Sequence, residues 1–156
     1  MSALKDRIRA DLTTAMKARD PLVTGTLRMA LAALTNEEVS GSRARELSDQ
    51  DVAKVLVREV KKRNESAEVY AQAGRDELAA NERSEIEVLS GYLPEQLSDD
   101  EVRELVAAAV AEVRSRSPEA PSTKQLGQVI RTATVSAAGR ADGARVAAAA
   151  KAALAG

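Results

Sequence analysis

Leu4, Ile8, Leu12 and Met16 recur every fourth residue while Lys5, Arg9, Lys17 and Arg19 turn elsewhere, the stripe of an amphipathic helix. Asp20-Pro21 supplies an N-cap and a proline at the first helical position, so a second helix follows at once. It carries Val23, Leu27, Ala30, Leu31 and Leu34 inward and is expected to run to about Ser40. A polar connection follows, with Arg43 and Arg45 read as solvated. Ser48-Asp49-Gln50-Asp51 opens a third helix, whose inward positions are Val52, Val55, Leu56, Val60, Ala67 and Tyr70. Arg58, Lys61, Lys62 and Arg63 are placed on its exposed face, with Lys61–Glu65 at ion-pair spacing. Gly74 closes that helix, and a fourth over 75–93 lines up Leu78, Glu82, Ile86, Leu89 and Leu93. A carboxylate in such a series predicts pairing of Glu82 with a neighbouring Arg or Lys.

The pattern breaks at Gly91-Tyr92-Leu93-Pro94. Proline lacks an N–H and pushes the preceding residue out of the α region, so Leu93 is expected to end the fourth helix. Ser98 and Glu101 then form a capping box that starts a fifth. Tyr92, Leu93 and Pro94 are read as a hinge between an N-terminal helical domain, 1–93, and a small C-terminal helical domain, 94–156. The fold class expected is all-α, a bundle of about four helices joined to three more. In the second part Val102, Leu105, Val106, Ala109, Val110 and Val113 face inward, and Ser117-Pro118-Glu119-Ala120-Pro121 forms a stiffened linker. Ser122-Thr123-Lys124-Gln125 reads as another capping box before a sixth helix with Leu126, Val129, Ile130 and Ala133 inside. Gly127, one turn in, suggests close backbone packing. Gly139-Arg140-Ala141-Asp142-Gly143 is a turn, with Gly139 at a left-handed position and Asp142 capping a last, alanine-rich helix.

Composition narrows the chemistry. The chain has no His, Cys, Phe or Trp, so its core must be built from Leu, Val, Ala and Met. Disulfides and thiolate chemistry are excluded, and the commonest metal ligand and general base are both missing. No glycine-rich phosphate loop is present, and Asp99, Asp100 and Glu101 are better explained as acids favoured at a helix N-terminus than as metal ligands. No catalytic residue, metal site or cofactor is therefore predicted. The charged start and the lack of a long apolar run predict neither leader nor membrane span, and the cytoplasm is the expected compartment. Over 1–113 there are 16 Lys and Arg against 22 Asp and Glu, while 114–156 has 7 against 2. A basic tail on an acidic body is either a footprint for nucleic acid or a segment that docks on its own body.

Leu27-Arg28-Met29-Ala30-Leu31-Ala32-Ala33-Leu34, Glu59-Val60-Lys61-Lys62-Arg63-Asn64-Glu65-Ser66, Ala73-Gly74-Arg75, Glu82 with Glu85, Tyr92-Leu93-Pro94-Glu95-Gln96-Leu97 and Gly139-Arg140-Ala141-Asp142-Gly143 together resemble the YqeY family. That family is related to a C-terminal tail of the aspartyl/glutamyl-tRNA amidotransferase, a tail that helps recognise tRNA. The resemblance implies an all-helical accessory that binds tRNA or another structured RNA, with a carbon–nitrogen ligase label, glutamine as amido donor, inherited by relation. It also implies amidotransferase subunits or another translation protein as partners. The family carries lysines between the two glycine turns of the C-terminal domain. Here Gln128 and Val135-Ser136-Ala137-Ala138 stand there, leaving Lys124, Arg131, Arg140 and Arg145 as the candidate nucleic-acid-binding cations. The alternative is a protein-interaction scaffold that docks through an apolar helix face.

Overall fold

The computed structural model describes residues 2–116 and 125–155. These form seven α-helices and no strand: α1 (Ala3–Lys17), α2 (Pro21–Glu38), α3 (Asp49–Gln72), α4 (Asp76–Ser90), α5 (Asp99–Arg116), α6 (Leu126–Ala137) and α7 (Gly143–Ala155). The chain divides into two compact units, Met1–Leu93 and Pro94–Gly156. The proline-rich linker and the capping box expected over 117–124 lie outside the described residues.

In the first unit, side-chain caps set where helices begin. Ser2 Oγ accepts from Lys5 N at 3.1 Å and donates to Asp49 Oδ1 at 2.5 Å, and Leu4 N donates to the same oxygen at 3.1 Å. The starts of α1 and α3 are thereby keyed together. Asp20 caps α2 by accepting from Val23 N, with Pro21 at the first helical position. Ser48 and Asp51 make the reciprocal box of α3. The apolar stripes then meet in a core of Ile8, Leu27, Ala30, Leu34, Leu47, Val52, Val55, Leu56 and Leu89. A fully buried side chain of this size contributes about 1.5–3 kcal/mol relative to exposure.

Several expectations need correction here. Met16 is 49% exposed and Met29 is 54% exposed, so neither packs the core. On α4, Leu78 is exposed and Ala79 is buried; the inward series keeps its helical period but begins one residue later. α4 also stops at Ser90, three residues before Leu93, with Gly91 as its C-cap. Tyr92 N and Leu93 N then donate to Leu89 O and Ser90 O, tightening the exit into a turn. Glycine weakens helical continuation and Pro94 restricts Leu93, so the two together end the helix earlier than proline alone would. Arg45 is exposed as expected, and from there it reaches Asp51 at 3.1 Å and Glu37 at 3.5 Å.

The second unit is made of smaller side chains. Its core is Leu97, Val102, Val106, Ala109, Val113, Val129, Ala133, Ala137, Val146 and Ala150. Ser98 and Glu101 form the box expected at the start of α5. The Ser98 N–H, which donates to Glu101 Oε2 at 2.7 Å, and after it the nearby Ser98 side chain hold the Glu101 carboxyl below its ordinary pKa. The segment before α5 is stitched to the turn after α6. Leu97 N donates to Arg140 O at 2.7 Å, Gln96 Nε2 to Gly139 O at 3.3 Å, and Arg140 Nε to Glu95 O at 3.1 Å. The turn carries two successive left-handed residues, Ala138 at φ 49° and Gly139 at φ 79°. Asp142 caps α7 through Ala144 N. Gly127 departs from expectation: it is exposed, and no described atom lies within 4 Å of where its Cβ would be, so internal packing does not explain it.

Candidate functional site

The densest group of ionisable side chains lies inside the first unit. Arg63 is only 4% exposed. Its Nε donates to Glu85 Oε2 at 2.9 Å, and its Nη1 donates to Glu59 Oε2 at 2.9 Å and Glu59 O at 3.1 Å. Its Nη2 lies 3.8 Å from the Met29 sulfur. The sequence reading that set Arg63 beside Lys61 and Lys62 on a solvated face is thus wrong for Arg63. The missed signal lies in the stripe itself, where Leu56, Val60, Arg63, Ala67 and Tyr70 alternate by four and three residues. Lys62 pairs with Glu59 at 3.2 Å, instead of the Lys61–Glu65 pair that spacing suggested.

Glu82 also departs from expectation. It makes no ion pair among the described residues, and its pKa is raised, first by burial and then by the nearby Glu85 charge, with Arg63 acting in the opposite direction. Arg63 already has two carboxylates, and its pull on Glu82 is outweighed by burial and by Glu85. This cluster has neither a nucleophile beside a base nor an open face on its arginine. Its chemistry is that of a buried, hydrogen-bonded ion network tying α3 to α4.

Tyr92 is anchored in the same unit. Its hydroxyl donates to Asp11 Oδ2 at 2.5 Å, and the Arg7 guanidinium stacks 4.7 Å from its ring centroid. Burial and the Asp11 carboxylate push the phenol pKa well up. Leu93 packs against the same core. Pro94 belongs to the second unit, its Cγ lying 3.9 Å from the Cβ position of Gly139.

The four cations singled out in the sequence have different surroundings. Lys124 lies outside the described residues. Arg131 is exposed on α6, a helix with no acidic residue, and has no carboxylate partner among the described residues. Arg140 is exposed with its Nε held by Glu95 O. Arg145 is partly buried, and its Nη2 donates to Leu97 O at 2.8 Å and Asp99 Oδ1 at 2.9 Å. Charge also divides differently from the sequence reading. Cut at Leu93, the first unit has 15 Lys and Arg against 16 Asp and Glu, and the second has 8 against 8. The apparent basic tail arose because the count split α5 and left its acids with the body.

Among the described residues, no group of three or more His, Cys, Asp or Glu is placed to hold a metal ion, and no helix is long and apolar enough to cross a membrane. Fold and side chains together define a small all-helical protein with an ion network inside its first unit, centred on buried Arg63. The chain belongs to the family described as Yqey-like protein, whose sequence model matches residues 5–154. It is 33% identical over 116 residues to "Altered inheritance of mitochondria protein 41, mitochondrial" of Clavispora lusitaniae, covering 72% of this chain and 66% of that protein. The protein of the same name in Meyerozyma guilliermondii is 30% identical over 129 residues, 81% of this chain and 67% of that one. An uncharacterized protein of Schizosaccharomyces pombe is 36% identical over 92 residues, 59% of this chain and 73% of its own length. The chain spans about two thirds of the length of the first two relatives. Their names place them in mitochondria, which overturns the cytoplasm as the expected compartment.

Proposed function

We propose that the protein is a non-catalytic helical accessory, a four-helix N-terminal bundle with a three-helix C-terminal module, that binds the phosphate backbone of structured RNA. The observation that carries this reading is the outer face of α6. That helix has no carboxylate, its Arg131 is exposed and unpaired among the described residues, and Gly127 leaves open space one turn from its start. A glycine inside a helix costs about 1 kcal/mol relative to alanine, and close approach of a ligand backbone would offset that cost. Arg140 is exposed beside the following turn, while Arg145 is occupied in holding α7 to the start of α5. With no aromatic residue in this unit, contacts would read shape and charge instead of stacking on bases. The family relation makes tRNA the first RNA to try and an amidotransferase the first assembly in which to seek the protein.

The test is titration of tRNA into the full chain at two salt concentrations. With about three phosphates neutralised, log K falls with log salt at a slope of roughly −2 to −3. Arg131→Glu, which breaks no ion pair among the described residues, weakens binding and flattens that slope. Absence of binding at low salt, or an Arg131→Glu protein that binds tRNA unchanged, overturns the reading.

A further inference from the structure

We propose that Met29 is a site of reversible oxidation by hydroperoxide, and that the sulfoxide it forms is captured by buried Arg63. With neither Cys nor Trp in the chain, its three methionines are the side chains such an oxidant attacks. Met29 is 54% exposed and lines an open groove between α2 and α3, so a peroxide reaches it from solvent. What distinguishes it is the donor on its sulfur. A guanidinium has five N–H protons, and three of those on Arg63 go to oxygen: one from Nε to Glu85 Oε2, two from Nη1 to Glu59 O and Glu59 Oε2. The two on Nη2 have only the Met29 sulfur, 3.8 Å away, among the described residues. A thioether is a weak acceptor, so a charged donor in a 4% exposed group is left under-satisfied.

Oxidation supplies the missing acceptor. An S–O bond forms as the O–O bond of hydrogen peroxide breaks, the second oxygen leaves as water, and sulfur loses the two electrons that the peroxide gains. A reductase that delivers two electrons and two protons removes the oxygen again as water. From its present position, the sulfur can direct that oxygen at Nη2 within the roughly 2.7–3.2 Å of an N–H···O hydrogen bond. Charge on the donor strengthens the bond. In a packed core a sulfoxide disrupts, whereas here the side chain stands half in water and its oxygen meets a donor already held in place. Oxidised Met29 therefore ties α2 to the ion network that joins α3 and α4. Met16 is the internal contrast, 49% exposed with no donor on its sulfur among the described residues.

The experiment treats the full chain with hydrogen peroxide, locates the added oxygens by peptide mass spectrometry, and follows tyrosine fluorescence in urea, since Tyr70 and Tyr92 both lie in the first unit. In Met16→Leu protein, oxidation of Met29 is expected to raise the midpoint by about 0.5 M, and methionine sulfoxide reductase returns it. In Met29→Leu protein, oxidation of Met16 gives no rise; Met1, common to both, cancels. Met29→Gln, whose amide oxygen stands in for the sulfoxide, has a higher midpoint than Met29→Leu without any peroxide. NMR of isotopically labelled arginine shows the Arg63 guanidinium signals moving when Met29 is oxidised and staying when Met16 is. A Met29 that resists peroxide under conditions that oxidise Met16, or a midpoint that stays or falls once Met29 is oxidised, overturns the proposal. So do Arg63 signals that do not move, a result that gives the oxygen to Lys62 or Asn36 on the same groove.

Discussion

The two units solve the same packing problem with different materials. The first buries five leucines, an isoleucine, two valines and four alanines, and it alone encloses buried polar side chains among the described residues: Ser2, Lys5, Thr26 and Arg63. The second buries five valines, four alanines and one leucine, with no charged group among them. Large aliphatics give the first unit enough apolar area to carry ions inside it, and those ions fix which helices pair. Lys5 meets Glu38 across α1 and α2, and Arg63 meets Glu85 across α3 and α4. The second unit, with less area per residue, depends on close fit, helix propensity and hydrogen-bonded ends. Ions buried in the first unit therefore help to specify its helix pairs, whereas in the second the cross-helix pair Arg145–Asp99 is open to solvent at Asp99 and hydrogen-bonded turns carry more of that role.

The sharpest way to break this contrast is Arg63→Ala. It leaves half-buried Glu85 without its cation, beside Glu82, and Glu59 with Lys62 alone, and is expected to destabilise the first unit by about 3 kcal/mol. Both tyrosines, Tyr70 and Tyr92, lie in that unit, so tyrosine fluorescence in a urea titration reports its unfolding, while far-UV circular dichroism reports both. A tyrosine midpoint that stays in place removes Arg63 from the role given to it. Val146→Ala, fully buried in the second unit, should cost roughly 2 kcal/mol and move only the circular dichroism transition. Ser98→Ala removes the cap of α5 and should lower that same transition by about 1 kcal/mol. The stability that Glu101 contributes there is present above the ordinary glutamate pKa and is lost as pH falls through its depressed folded value.

The smallest effect has the opposite sign. Because the folded pKa of Glu82 is raised, the native state holds that proton more tightly than the unfolded chain does. Its contribution to stability therefore falls as pH rises from the ordinary glutamate value through the raised one. Glu82→Gln should raise the tyrosine midpoint at neutral pH by less than about 1 kcal/mol and lose that advantage in acid. A substitution that destabilises at neutral pH would mean that Glu82 has a cation partner after all.

Much of the helical layout was legible because caps and breaks are local. Asp20-Pro21, the boxes at Ser48 and Ser98, and the glycines at 74 and 139 act within four residues of themselves, so sequence displays them directly. Arg63 was misplaced because charge was taken as evidence of exposure; what overrode that rule is Glu85, 22 residues away, which spacing along one helix cannot reveal. The methionines failed for a related reason, since their flexibility suits a core and a half-exposed helix face equally. The electrostatic division failed because charge was summed across a boundary that did not match the folded units. Of the predicted cations, Arg131 kept its open surroundings because its helix carries no acids, a property of the segment itself. Arg145 did not, because Asp99 and Leu97 are brought to it only by folding.

The stitching of residues 95–97 to the turn at 139–140 has a consequence for biosynthesis. The opening of the second unit finds its hydrogen-bond partners more than 40 residues later, so the unit cannot close until the ribosome has released Arg140. The first unit can finish while the second is still waiting. A nascent or clipped product ending before Arg140 would display the valine faces of α5 and α6 without the final helix to cover them, a form suited to capture by chaperones or proteases.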